Sequence, residues 1–325
     1  MATTSLDGKT ALVTGGAGFI GSHLVDALLE RGVRVRVLDD FSTGLESNLE
    51  HLAGLSALEV QRGDLRDATA CSAACDGVDV VFHQGALGSV PRSMQDPATS
   101  IAVNVGGTSN LFTAARDAGV RRLVYASSSS VYGDSPALPK REGEEGEPLS
   151  PYAASKHMCE ELAAVFARCF ELEIIGLRYF NVYGPRQRPD GPYAAVIPRF
   201  FDAYARGEAP TIHGDGEQSR DFTFVLDAVR ANLLAAEAAP AACGRAYNVA
   251  GGRRTDLNTL AAAVRRAVGG GPEPLHGPPR PGDVRHSLAD LTDATRALGY
   301  RPMIDLDEGL ARAAGHYLVA ASAGA

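Results

Sequence analysis

The segment Thr14–Gly21, Thr-Gly-Gly-Ala-Gly-Phe-Ile-Gly, constrains this chain more than any other. Before it, Thr10–Thr14 reads as a buried strand. After it, Phe19–Arg31 has the apolar periodicity of an amphipathic helix. Glycines at Gly15, Gly18 and Gly21 permit a tight turn, close backbone approach and tight helix-to-sheet packing. The amides that open the helix, around Phe19 and Ile20, then point at whatever anion sits there, and the helix dipole helps. A dinucleotide pyrophosphate fits that cradle. Gly16, Gly18 and Gly21 also satisfy G-x-G-x-x-G, so spacing alone does not separate two dinucleotide-binding types.

The same texture continues. Val33–Asp39, Leu58–Gln61, Val78–His83, Arg122–Ser127 and Glu173–Arg178 read as strands. Helical patterns at Ile101–Ala118 and from Pro151 to Phe170 fall between them. This alternation predicts an α/β fold, a doubly wound parallel Rossmann sheet. Beyond Tyr179, prolines at 185, 189, 192, 198 and 210 and glycine-rich stretches break the pattern. Helices are expected there near Ala228–Glu237, Leu257–Val268 and Asp290–Leu298. The expected division is a dinucleotide-binding domain over 1–178 and a mainly substrate-binding lobe over 179–325, with later segments able to return to the sheet. Arg141–Glu147 reads as a solvated acidic loop and Ala320–Ala325 as a frayed tail.

A formal charge of −8 over 325 residues argues against a nucleic-acid surface. No apolar run reaches the length of a membrane span, and Met1–Lys9 carries no signal pattern, which predicts a cytoplasmic protein. The five cysteines form no C-x-x-C pair and no set with metal-ligand spacing, so unpaired thiols and no metal are expected.

The second strand ends in Asp39-Asp40, about twenty residues after the glycines, where an acid binds adenosine ribose hydroxyls and repels a 2′-phosphate. NAD is therefore favoured over NADP. Ser42, Thr43 and Gly44 continue that pocket, and Asp64-Leu65 follows the third strand, where it would flank adenine. Far downstream, Tyr152 and Lys156 stand one helical turn apart on one face. An ammonium beside a phenol favours the phenolate, which serves as a general base. The chain has only three lysines, Lys9, Lys140 and Lys156, so the pairing is unlikely to be chance. Ser127–Ser130 follow a strand and offer hydroxyls at the carboxyl edge of the sheet.

Together, Gly15-x-x-Gly18-x-x-Gly21, the serine cluster and Tyr152-x-x-x-Lys156 resemble the extended short-chain dehydrogenase/reductase family. Over nearly its whole length the chain is similar to nucleotide-sugar 4-epimerases. The strings His83–Ser93, Leu177–Gly184, Tyr193–Pro198, Ser219–Phe222 and Gly282–Asp290 are especially close to bacterial UDP-N-acetylglucosamine 4-epimerases of surface-polysaccharide synthesis. The resemblance implies a tightly held NAD, with Gln84, Ala86 and Tyr179 added to the cofactor residues. It implies that Tyr152 takes the proton from the sugar 4-hydroxyl while Ser128 hydrogen-bonds that oxygen. A 4-keto sugar then turns over and is reduced on its other face. Asn181, Ala195, Val196, Arg220, Arg280 and Asp283 fall where the family holds uridine and diphosphate, and Gly88, Ser89, Ser128 and Ser129 fall on the sugar side. Family members commonly form homodimers through the helices at Ile101–Ala118 and Tyr152–Phe170.

Dehydratases of this scaffold carry two acids after the fifth strand, where this chain has Ser128-Ser129-Ser130. Elimination is therefore disfavoured, and nothing resembles the uronate decarboxylases. In family terms Ser287 stands at the gatekeeper of the hexose pocket, and a small residue there leaves room for an N-acetyl group. The expected reaction interconverts UDP-GlcNAc and UDP-GalNAc, with UDP-Glc and UDP-Gal as a second pair; the alternatives are UDP-glucose 4-epimerisation as the main activity, or another NAD-dependent nucleotide-sugar epimerisation or dehydration. Members that bind the cofactor without catalysis usually lose Tyr or Lys, and both are present here. Gly85 departs from the alanine of close relatives.

Overall fold

In the computed structural model of the chain, residues 5–189, 194–279 and 285–323 are described, with side chains as far as Leu318. The elements of the first half are β1 (Thr10–Thr14), α1 (Phe19–Glu30), β2 (Arg34–Asp39), β3 (Leu58–Arg62), α2 (Ala68–Cys75), β4 (Val80–His83), α3 (Val90–Gln95), α4 (Pro97–Ile101), α5 (Gly107–Asp117), β5 (Arg122–Ser128), α6 (Pro151–Phe170) and β6 (Glu173–Tyr179). There follow β7 (Val182–Tyr183), α7 (Val196–Ala205), β8 (Thr211–His213), β9 (Ser219–Asp221), β10 (Thr223–Phe224), α8 (Val225–Glu237), β11 (Arg245–Val249), β12 (Arg254–Asp256), α9 (Leu257–Ala267), β13 (Leu275–Gly277), α10 (Thr292–Leu298) and α11 (Leu306–Ala323).

Seven strands form one sheet in the order β3-β2-β1-β4-β5-β6-β11, and every pairing in it is parallel. Parallel strands need crossover helices, which cover both faces, so the central strands are largely buried. Val80–His83, for example, is buried at all four residues. On one face Leu24, Val25 and Leu28 of α1 join Ala228–Ala236 of α8. On the other, Leu111 and Phe112 of α5 pack with Cys159, Ala163 and Phe166 of α6. A third cluster is built from the second half of the chain, where Phe200 and Phe201 of α7, Leu260 of α9 and Leu310 and Tyr317 of α11 meet.

Strand β11, which sequence reasoning left unassigned, runs beside β6 and lies within the second half of the chain. Helix α7 was also missed, because Pro198 reads as a breaker. It sits in the first turn, where a missing N–H costs nothing. The helix expected over Ile101–Ala118 is interrupted by a π-turn at Ala102–Gly106. Asn104 anchors that turn by accepting from the Leu87 amide at 2.8 Å and donating to Ser155 Oγ at 3.0 Å. The tail expected to fray continues as helix to Ala323.

The acidic loop is not simply solvated. Glu145 pairs with buried Arg178, and Glu142 accepts from the Asn248 amide at 2.7 Å. Burial pushes the Glu142 carboxyl up. All five cysteines are unpaired thiols. No helix among the described residues is long and apolar enough to cross a membrane.

Candidate active site

The cradle begins where β1 ends. Gly15 has φ +66°, and a Cβ there would stand 2.7 Å from Gly85 Cα. A Cβ on Gly21 would stand 2.1 Å from the Gly15 carbonyl oxygen, so only glycine lets α1 start this close to the turn. Asp39, at the end of β2, has its carboxylate in the same cavity. Its Oδ2 accepts from the Ala17 amide at 2.9 Å and its Oδ1 from Phe41 at 2.8 Å, while burial pushes its pKa up. Asp39 thus shapes the glycine loop from below, and the residue lines the cleft. Asp40 holds the Ser42 amide and hydroxyl, and Asp64 is paired with Arg66.

A cleft of about 500 Å³ runs along the carboxyl ends of the strands. Gly15, Gly18, Phe19, Ile20, Gly21, Asp39, Asp40, Ser42, Thr43, Asp64, Leu65, Gln84, Ala86, Tyr152, Lys156 and Tyr179 all line it. Of the residues read as sugar or nucleotide contacts, Gly88, Ser128, Ser129, Asn181 and Ala195 line it too. Gly44 does not. A Cβ there would meet Ala17 and Asp39 Oδ1 at 3.0 Å, so it packs beneath the glycine loop. Ser89 is not on the lining either, and its hydroxyl caps α3 by accepting from Arg92 N at 3.2 Å. A second cleft of about 960 Å³ opens beside the first and shares Asn181, Val182, Gln187 and Ala195 with it. Val196 and Arg220 line this one, and the Arg220 guanidinium donates to the Ser219 carbonyl at 3.0 Å. Ser287 is partly buried, its amide donates to Ser219 O at 3.0 Å, and its hydroxyl has no partner among the described residues. Arg280 and Asp283 lie outside the described residues.

Tyr152 and Lys156 both come from the first turns of α6, started by Pro151 and capped by Ser150 Oγ, which accepts from Ala153 N. Lys156 is buried, and Nζ donates to the Ala126 carbonyl of β5 at 2.8 Å. The ammonium is thereby fixed, with donors left for groups in the cleft it lines. Ser128 Oγ accepts from the Ser130 amide at 3.1 Å, which leaves its own hydrogen to donate. Tyr179, Gln84 and Asn232 close a hydrogen-bonded triangle at the base of the cleft, and burial pushes the Tyr179 phenol up to about 12.

Sequence reasoning missed what lies beneath this surface. His83 is buried between Thr14 Oγ1 at 2.7 Å and Thr108 Oγ1 at 2.9 Å, and from Thr108 bonds run through Asn104 and Ser155 to the Tyr152 carbonyl. Burial, and then the nearby Lys156 charge, press the His83 pKa down to about 3, so the ring stays neutral. Tyr152 N also donates to Ser93 Oγ at 3.0 Å. No periodicity in the sequence marks such contacts, since each joins residues from different elements. Among the described residues no cluster of His, Cys, Asp or Glu could hold a metal ion.

A phenol, an ammonium and a hydroxyl at the edge of a dinucleotide cradle define a nicotinamide-dependent enzyme that moves a proton at an alcohol. The comparisons agree. Residues 11–250 match the model of the NAD dependent epimerase/dehydratase family, and the chain belongs to that family. A UDP-glucose 4-epimerase of Mycolicibacterium smegmatis is 42% identical over 303 residues, covering 93% of this chain and 96% of the relative. Among solved structures, a UDP-N-acetylglucosamine 4-epimerase from Methanobrevibacter ruminantium, in complex with UDP-N-acetylmuramic acid, superposes with a TM-score of 0.92 at 38% identity. That match covers 97% of this chain and 99% of the other. Thermus thermophilus UDP-glucose 4-epimerase in complex with NAD gives 0.84 at 36% identity, with 95% and 98% covered. NAD is the cofactor, and the cradle at Gly15 and Gly21 has the closeness a pyrophosphate needs.

Proposed function

We propose that the chain is a UDP-sugar 4-epimerase that interconverts UDP-GlcNAc and UDP-GalNAc, and also UDP-Glc and UDP-Gal. The observation that carries this reading is the meeting of two clefts at Asn181 and Ala195, with Tyr152, Lys156 and Ser128 lining the cofactor cleft. The second cleft has room for a nucleoside diphosphate, and Arg220 supplies a guanidinium suited to phosphate. Bound NAD supplies the acceptor and donor of hydride.

The protein's own part is proton transfer and orientation. Tyr152 removes the proton from the sugar 4-hydroxyl and returns it. Ser128 donates to the same oxygen, and Lys156, pinned to Ala126 O, holds positive charge beside the phenol. The N-acetylated preference rests on the small Ser287 and on Gly88, which lines the cofactor cleft. A roomy pocket discriminates weakly against a smaller sugar, hence the second pair of substrates.

A homodimer through the helices over Ile101–Ala118 and Tyr152–Phe170 is part of the same reading, and Met158, Val165 and Phe170 are exposed on α6. Incubation with UDP-GlcNAc, UDP-Glc and UDP-glucuronate, with products separated by chromatography, tests the assignment. Conversion of UDP-glucuronate alone would refute it.

A further inference from the structure

Tyr152, Lys156 and Glu160 follow one another at four-residue intervals along one face of α6. The first two belong to the reaction. Glu160 lies one turn further from the cleft, yet its contacts lead back to the catalytic edge. Its Oε1 accepts from Ser127 Oγ at 2.5 Å and from Arg178 Nε at 2.9 Å, and its Oε2 accepts from Arg178 Nη2 at 2.7 Å. Arg178 is the β6 neighbour of Ser127 in the sheet register and is itself buried. It also meets Glu145 and donates to Tyr132 Oη at 3.0 Å. The bidentate fork leaves Glu160 one orientation. Despite burial, the carboxylates around Arg178, Glu160 first, hold its pKa above the ordinary guanidinium value.

We propose that Glu160, locked by Arg178, is a positioning residue that acts through the Ser127 hydroxyl to set Ser128 against Tyr152. Two ties join α6 to the end of β5: Lys156 to the Ala126 carbonyl and Glu160 to the Ser127 hydroxyl. Ser127 and Ser128 are consecutive, and β5 ends at Ser128 before the chain turns into a short 3₁₀ segment at Ser129–Tyr132. The Ser127 bond is therefore the last side-chain restraint on the strand before the residue that donates to the substrate oxygen. The tie shares one helix with Tyr152, so it fixes donor and base relative to each other. A displacement near 1 Å at such a constellation costs up to about 100-fold in rate.

This inference rests on the epimerase reading. The test is a double-mutant cycle of Ser127→Ala and Ser128→Ala, with epimerisation kcat, UDP affinity and thermal midpoint measured for each protein. Ser127→Ala alone should lower kcat about tenfold with UDP affinity and midpoint little changed. Ser127→Thr, which keeps the hydroxyl, should restore most of the rate. Once Ser128 is alanine, removing the Ser127 hydroxyl should cost nothing further, because its effect passes through Ser128. Glu160→Gln, which keeps an acceptor for Ser127, should lose less than Ser127→Ala if it folds. Equal fold-losses in both backgrounds, or wild-type kcat in Ser127→Ala, would overturn the proposal. If the unmutated chain converts no UDP-sugar, the functional reading fails and this inference falls with it.

Discussion

Replacing Gly21 by alanine tests the cofactor cradle where the geometry is tightest. The added Cβ would stand 2.1 Å from the Gly15 carbonyl oxygen, against the ~3.3 Å at which carbon and oxygen normally touch. Helix and turn must part by about 1 Å. That oxygen accepts from the Gly18 amide at 3.0 Å, and Gly15 N donates to Leu38 O at 2.8 Å, so the movement disturbs the whole turn. For the fold the cost is modest. Crowding costs about 1–3 kcal/mol, and alanine in a helix recovers up to about 1 kcal/mol. For the ligand it is larger, because an N–H···O bond stretched by about 1 Å is no longer a bond. Each charge-assisted bond lost is worth about 1.5–3 kcal/mol, so NAD affinity should fall at least about tenfold. Gly315→Ala is the control. It lies in α11 with nothing within 4 Å of the new Cβ and should leave NAD untouched. NAD released on denaturation and NAD titration of the stripped protein give the measurement. A Gly21→Ala protein that keeps a full complement of NAD, with affinity within about threefold of the parent, would refute the cradle.

Three other substitutions probe the remaining assignments. Tyr152→Phe should lower kcat by about 10²–10⁴-fold with UDP affinity retained, and more than about a tenth of parental kcat would remove Tyr152 from the mechanism. Ser287→Tyr should cost UDP-GlcNAc turnover roughly tenfold or more while sparing UDP-Glc, and equal losses in kcat/KM for both sugars would make Ser287 structural. His83, held near 3 when folded and titrating near 6.5 when unfolded, takes up a proton on unfolding between those values. Stability should therefore be full above about pH 6.5 and fall toward pH 3, at up to about 1.4 kcal/mol per pH unit from this residue. Urea unfolding at several pH values should show that slope flattened in His83→Gln, and parallel curves for the two proteins would exclude the histidine.

The parallel sheet was legible because its strands are short apolar runs separated by helical periods, and β1 and α6 begin and end where the pattern places them. The cofactor residues were legible for a related reason: a phosphate cradle needs glycine at set spacings on contiguous chain. The second half of the chain was harder. Its β7 and β10 have two residues each, and β8, β9, β12 and β13 have three, too few for any periodicity to show. Supporting contacts such as Ser127 to Glu160 or His83 to Thr108 join elements that meet only once the sheet is assembled. The acidic loop was misread for the same reason, since the cation that takes up Glu145 sits on β6, 33 residues away.

The disposition of carboxylates also bears on why this scaffold should isomerise a sugar and not dehydrate it. Elimination of water needs an acid and a base placed beside the sugar in addition to the base at the 4-hydroxyl. Among the described residues lining the cofactor cleft, the only carboxylates are Asp39, Asp40 and Asp64, at or just after the ends of β2 and β3, the end read as the adenosine pocket. After β5 come Ser128, Ser129 and Ser130. The acid nearest in the hydrogen-bond network, Glu160, stands behind Ser127 with both oxygens engaged by Arg178. A carboxylate held on both oxygens by a bidentate guanidinium is not turned toward the sugar. On the proposed reading Tyr152 and Ser128 are then the proton-handling groups at the sugar, and they address a single oxygen. Such a site can oxidise and re-reduce one carbon, which is what epimerisation requires.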